Sequence, residues 1–551
     1  MLARMVSRAI TVHSPTASSV SVSVQAWRTR SYPMPPPVIV DLTGEAGTWS
    51  GSFDAETGDH YWLTVDGCGP LLDPHCLDLE MTAEGPRSVV RDAWDRRPQG
   101  APLDLPEGVT PVVYEVHVRG LARTFSGMIE HLDYIAALGV NVIELMTVHP
   151  FDDAENYWGY MPLVWGAVHR AYAQDVSDAA GELAELIGAA HDRGLHVWLD
   201  VVFNHTGEGD ATLPTLSLRG IDDANAYRHR PDGSYTDDSG CGNDTNPADP
   251  EVRRLVLEAL DRFADLGIDG FRFDLASLLG RDGGGLIAQI SKWAAGRNVQ
   301  LIAEPWDLAA YELGDAFAGR TWMQWNDKVR DQVRGFVRAE PGLVPAMMRR
   351  LAGSPDVFGQ TQRSVNFVTA HDGFTMYDLT IVTDDHHHSW ACGESLQMQQ
   401  LKNYFALLLL SAGTPMFSMG DEFARTQHGN PNPYNIDSEL TWVDWTRLEQ
   451  WQELHDFVRD AIRLRRECPP VRLRFYGVAG APDESFESRS LAFATDQLYV
   501  MVNPWWEPLH FVVQEHGDWQ PAFSTASEPF NNDGWAAGET VAPRSIRVLR
   551  R

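Results

Sequence analysis

Cysteine is scarce in this chain, and what there is does not pair. Its 551 residues hold five (Cys68, Cys76, Cys241, Cys392 and Cys468), an odd number at wide, irregular spacing. That excludes a disulfide framework and any Cys-x-x-Cys metal pattern, and makes reduced thiols the default. Long apolar runs are missing as well: the longest, near Phe405–Leu410, is far too short to cross a bilayer. Arg4 and Arg8 interrupt the first ten residues, which leaves no apolar centre of a signal peptide, so a cytoplasmic protein is expected. Basic charge is in short supply, with 44 Lys and Arg against 76 Asp and Glu and a net charge of −32. Nucleic acid and anionic membrane are thereby excluded as partners, and a neutral polymer suits the surface better.

What is present changes character along the chain. Residues 1–66 carry short β-branched runs (Val20–Val24, Val38–Leu42, Tyr61–Val65) between Ser, Pro and Gly turns, the pattern of a β-sandwich. Residues 67–108, rich in Pro, Gly and charge, read as a linker. From Pro111 strands alternate with amphipathic helices, and eight such repeats over 109–469 predict a TIM barrel. Val112–Val118 is its first strand, Ser126–Leu138 the helix after it and Val140–Leu145 its second strand. Residues 206–248 interrupt the alternation with a long Asp-, Gly- and Asn-rich lobe. The helix that follows has its cap in Asp249, Pro250 in its first turn, and one apolar stripe of Val252, Leu255, Val256, Ala259, Leu260 and Phe263. Residues 470–551 return to short strands and predict a small antiparallel β domain.

The chemistry-bearing residues gather at strand ends. In Gly-Ile-Asp-Gly-Phe-Arg-Phe-Asp-Leu-Ala-Ser (267–277), Phe271 and Phe273 alternate with Arg272 and Asp274, so the two charges share one strand face. A structural ion pair inside a barrel is one reading of that face. Three more strands end in the same way. Leu-His-Val-Trp-Leu-Asp-Val-Val-Phe-Asn-His (195–205) delivers Asp200, Asn204 and His205. Leu-Ile-Ala-Glu-Pro-Trp-Asp (301–307) delivers Glu304, and Val-Asn-Phe-Val-Thr-Ala-His-Asp (365–372) delivers His371 and Asp372. Carboxylates and imidazoles at the C-terminal ends of successive parallel strands are the arrangement of a barrel active site.

These four segments resemble the four signature regions of the α-amylase family of retaining α-glucan enzymes. Further stretches resemble its glycogen-debranching and isoamylase branch: 113–120, 156–160 (Asn-Tyr-Trp-Gly-Tyr), 239–244 (Ser-Gly-Cys-Gly-Asn-Asp), 325–331 and 420–430. The resemblance implies that Asp274 is the nucleophile, Glu304 the acid/base and Asp372 the carboxylate that grips sugar hydroxyls. It places His205 and His371 against the sugar in the reacting subsite, Tyr160 as the platform beneath it, and Arg272 beside the nucleophile. Asp200 is expected to orient Arg272, Trp306 to lend Glu304 an apolar surround, and Trp325 to line a glucan cleft with Trp442. No cofactor and no metal is implied; adjacent histidines such as His386, His387 and His388 lack the fixed geometry of a metal site and read as a loop.

The N-terminal segment resembles a shortened glycogen-binding-type module, in which Trp27, Trp49 and Trp62 serve packing in preference to sugar stacking. Two segments depart from the branch: 373–390 is shorter than its counterparts, and Tyr160 is followed by Met-Pro-Leu-Val-Trp-Gly-Ala. The implied activity is hydrolysis of α-1,6 branch points in glycogen or limit dextrins through a glycosyl–enzyme intermediate. Glycosyl transfer or α-1,4 hydrolysis would use the same carboxylates, and an inactive glycan-binding protein is the reading outside enzymes.

Overall fold

The computed structural model describes residues 5–27, 35–92, 94, 110–359, 361–526 and 538–551. Eight strands close into a barrel in chain order: Val113–Val116, Val142–Leu145, His196–Val201, Gly270–Phe273, Gln300–Ala303, Met323–Asn326, Ser364–Phe367 and Thr414–Ser418. Barrel strand one stops earlier than the residue pattern predicts. His117 caps a short helix, Val118–Ala122, its ring accepting from the Gly120 amide at 3.0 Å. The helix Pro250–Asp265 forms as its sequence dictates: the Asp249 carboxylate accepts from the Glu251 and Val252 amides, and all six residues of the apolar stripe are buried. The 206–248 excursion is irregular apart from one helix, Leu218–Ala226.

Before the barrel, strands Val6–His13, Thr48–Ala55 and Thr43–Glu45 make one sheet, and a second sheet of six strands packs with it. The expected linker needs correction here. Cys68–Leu71, Leu79–Thr82 and Gly85–Val89 are strands of that second sheet, with Cys68–Leu71 and Gly85–Val89 each pairing with His60–Val65. Gly67 sits in a hairpin turn, and Pro70, Gly85 and Pro86 are taken up inside strands, so the stretch is not a spacer. The rest of the expected linker, 93 and 95–108, lies outside the described residues. The sheets bury Ile10, Val12, Val22 and Leu63 in a core that runs on into Leu163, Val164, Ala167 and Ile221 of the barrel's excursions. The tryptophans are engaged in packing: Trp27 stacks on His60 at 4.2 Å, Trp62 lies under the Arg87 guanidinium at 5.2 Å, and the Trp49 indole donates to the Ser14 carbonyl at 3.2 Å.

The C-terminal residues form a five-stranded antiparallel sheet and a two-stranded one around Tyr499, Met501, Phe511 and Leu549. The chain divides into two compact units. One joins the N-terminal sheets to barrel strands three to five, and the other joins the remaining barrel strands to the C-terminal domain. Among the described residues, no helix is long and apolar enough to cross a membrane.

Candidate active site

In the first unit, barrel strands three and four pair in parallel with Asp200 opposite Arg272. Gly270 permits the close pairing, since a Cβ there would stand 2.6 Å from the Trp198 ring. Phe271 and Phe273 turn to the helix side, against Trp293 at 5.8 Å and Trp322 at 4.7 Å, which sends Arg272 to the opposite face. Arg272 is 1% exposed, and one guanidinium there serves three carboxylates. Its Nη1 donates to both Asp200 oxygens (3.0 and 2.8 Å) and to Asp274 Oδ1 (3.1 Å), and its Nη2 donates to Glu304 Oε2 (2.7 Å). Burial alone would lower the Arg272 pKa, but Asp200, Glu304 and Asp274 outweigh burial and hold it well above the ordinary guanidinium value. A buried cation of this kind persists only when it is paired, here with carboxylates on both terminal nitrogens.

The bonds around that guanidinium set each partner. Asp200 also accepts from the Tyr160 hydroxyl at 2.5 Å, so it joins Arg272 to the Trp-Gly-Tyr segment. Asp274 Oδ2 accepts from Asn204 Nδ2 at 2.8 Å. Leu275, directly after Asp274, has φ +40°, a left-handed conformation that a branched side chain adopts at a cost. That turn aims the Leu275 amide at Glu304 Oε2, 3.0 Å away. These two donors thus converge on Oε2 of Glu304. His205 bonds Asn204 Oδ1 with one ring nitrogen and the Tyr160 carbonyl with the other. Burial would lower its pKa, but Cys241, Asp274 and the Tyr160 carbonyl raise it to about 9. Sequence resemblance assigns His205 to the sugar, whereas here both of its nitrogens engage protein atoms.

In the second unit, His371 follows barrel strand seven, and its Nδ1 lies 2.8 Å from Glu115 Oε1 on strand one. Ser418, at the end of strand eight, donates to Glu115 Oε2 at 2.6 Å. The buried Trp325 ring stands 6.1 Å from His371 and 5.1 Å from Phe367. Asp372 is exposed, and its charge helps raise the pKa of Arg330 on the helix after strand six, where burial acts the other way.

The residue pattern does not single out Glu115, although it sits in the 113–120 segment. A lone Glu inside an apolar strand, like Asp200, was the available signal. Asp307 is not singled out either. Its carboxylate is buried, accepts from the Ala309 and Ala310 amides, Ser277 and Arg281, and so ties the loop carrying Trp306 to the turn after Asp274. Trp306 stacks on Tyr311 at 6.3 Å along that loop. Trp442 donates its indole N–H to Asp437, and Trp390 lies under Arg544. His388 bonds Glu340 and His387 pairs with Asp384, so the histidine run is held by carboxylates of its surroundings.

The description "Alpha amylase, catalytic domain" matches residues 115–215. The chain is 32% identical to the chloroplastic isoamylase SU1 of Zea mays, across 87% of this chain and 74% of that protein. It is 34% identical to a glycogen debranching enzyme of Dickeya chrysanthemi, across 77% of this chain and 74% of that one. In fold it is similar to a pullulanase from Bacillus acidopullulyticus, with TM-score 0.83 at 23% identity over 100% of this chain and 74% of the other.

Proposed function

The chain belongs to the α-amylase family, in its isoamylase and glycogen-debranching branch, and we propose that it is a retaining glycoside hydrolase cleaving α-1,6 branch linkages of glycogen or limit dextrins. The observation that carries this reading is the single buried guanidinium that bonds Asp200, Asp274 and Glu304 together. Two carboxyl groups at the ends of adjacent strands are what retention requires, one to attack and one to protonate.

Asp274 is the nucleophile in this reading. Arg272 on Oδ1 and Asn204 on Oδ2 limit its rotation, which keeps an oxygen lone pair aimed at the anomeric carbon. Glu304 is the acid/base. Oε2 faces two N–H donors, so the proton of the acid form rides on Oε1, and that oxygen delivers it to the departing glycosidic oxygen. Water, deprotonated by the same Glu304, then opens the glycosyl ester to Asp274. Asp372 grips sugar hydroxyls in the distorted ring, His371 is oriented toward the sugar by Glu115, and Tyr160 is the platform, braced by Asp200. Trp306 and Trp325 line the path of the glucan.

A cytoplasmic α-glucan enzyme is the cellular reading that accompanies this one. The short 373–390 segment suits a branched substrate, which brings a main chain and a side chain to one bond. Product analysis on glycogen, pullulan and linear maltodextrin side by side tests the assignment. Release of short linear chains from the branched substrate, with little attack on maltodextrin, is expected. Faster degradation or disproportionation of maltodextrin would replace debranching with amylase or transferase action.

A further inference from the structure

Asn204 is fully buried beside the nucleophile, and the atoms around it leave its amide one orientation. Its Nδ2 lies 2.7 Å from the Asp274 carbonyl oxygen and 2.8 Å from Asp274 Oδ2, both of them acceptors. A flipped amide would press Oδ1 against those two oxygens, so the nitrogen must face Asp274. Oδ1 then faces His205 Nδ1 at 2.5 Å, and only an N–H on that ring nitrogen makes the contact attractive. The other ring nitrogen, Nε2, meets the Tyr160 carbonyl at 2.6 Å and must carry a hydrogen too. His205 is 1% exposed, so water does not substitute for either partner.

From this geometry we infer that Asn204 is a positioning residue for the Asp274 carboxylate, locked in place by His205 as a doubly protonated imidazolium. The inference rests on reading Asp274 as the nucleophile. It assigns the last two residues of the 195–205 segment to a chain that runs from the Tyr160 carbonyl through imidazolium and amide to the attacking group. The chain fixes one carboxylate oxygen by an amide while Arg272 fixes the other. The charged and titratable groups facing this chain are Asp274, the Arg272 guanidinium and the Cys241 thiol near the ring.

The test uses Asn204→Ala and Asn204→Asp in the full chain, with Asp274→Gly as the control. A carboxylate free to turn should lower kcat of Asn204→Ala about 10²-fold, with KM for the branched substrate within about threefold. Asn204→Asp keeps the shape and the bond from His205 but sets a carboxylate against a carboxylate. The acid limb of its kcat/KM profile should move up by about one pH unit or more, which a merely structural role would not produce. An Asn204→Ala enzyme with kcat within about threefold of the parent, or an unmoved acid limb in Asn204→Asp, overturns the inference. If Asn204→Ala does not fold, as judged by circular dichroism and melting, the isosteric Asp variant decides alone. Turnover retained by Asp274→Gly would instead overturn the nucleophile assignment, and an inactive control with normal Asn204 variants would overturn only the positioning role.

Discussion

Two carboxylate pairs sit just beyond barrel strands, and they are built from opposite materials. Asp274 and Glu304 follow strands four and five, keep 12% of each side chain exposed, and take their donors from a guanidinium, an amide side chain and a backbone N–H. Asp421 and Glu422 follow strand eight and are fully buried. Glu422 Oε1 accepts from the Tyr114 and Tyr134 hydroxyls, both at 2.8 Å, and its Oε2 finds no hydrogen-bond partner among the described residues. Asp421 accepts from the Thr369 hydroxyl at 2.6 Å and the Met376 amide at 3.1 Å. Burial pushes Asp421 up to about 6 and Glu422 up to about 7. Acidity alone therefore does not mark a working carboxylate. A cationic donor and an open edge equip the first pair for chemistry, whereas burial outweighs the nearby Arg425 charge at Asp421 and the tyrosine hydroxyls at Glu422 and makes the second pair a proton-holding strut.

The sharpest way to press this contrast is Asp274→Asn. The change is nearly isosteric and removes the attacking charge, so kcat should fall by about 10⁴-fold or more with the melting temperature little changed. Retention of a tenth of the activity would place the nucleophile elsewhere. Next comes Glu304→Gln, expected to cost about 10²–10⁴-fold on glycogen and far less on an α-glucosyl fluoride, whose leaving group needs little protonation. Equal losses on both substrates would remove Glu304 from its role.

Arg272→Lys keeps the charge but cannot span three carboxylates, and turnover should drop about 10²-fold with a lowered melting temperature. An unchanged rate would mean the guanidinium does not organise the pair. The smallest effect is expected at the strut. Glu422→Gln should leave kcat within about twofold, while flattening how stability varies with pH. The folded chain holds the Glu422 proton up to about pH 7, whereas the unfolded chain releases it near 4.5. That stabilisation is whole below about pH 4.5, is lost as pH rises to about 7, and is on the order of a few kcal/mol. Denaturant titrations at pH 4.5 and 7.5 measure it, and an identical slope in parent and variant would contradict a proton held at Glu422.

Much of this was legible in the residues. Strands three to five announced themselves because an apolar run ending in Asp, Asn, His or Glu has few other uses. The helix Pro250–Asp265 was readable because a cap, a proline and a stripe all agree. Strands 68–89 escaped because Gly67, at a hairpin turn, and Pro70, Gly85 and Pro86, which lie inside the strands, look like spacer in one dimension until the neighbouring strands are there to pair with. The partners of Glu115, Asn204 and Asp307 escaped for a related reason. A polar residue's type is visible in sequence, but which atom it bonds depends on backbone turns such as the left-handed Leu275. His205 was visible as an imidazole at a strand end, and its two acceptors were not.

The core beneath the N-terminal sheets has a practical consequence for anyone cutting or splicing this chain. Ile10, Val22 and Leu63 share their apolar contacts with Leu163, Val164, Ala167 and Ile221, so the first ninety residues act as masonry for the catalytic unit and not as a detachable accessory. Deleting them would lay bare a contiguous oily surface on the excursions that follow barrel strands two and three, the kind of patch that drives aggregation. Swapping in a sugar-binding module from another enzyme would succeed only if the newcomer brought the same inner wall. Changes to glucan preference are better attempted on the loops after the strands, where no such wall has to be rebuilt.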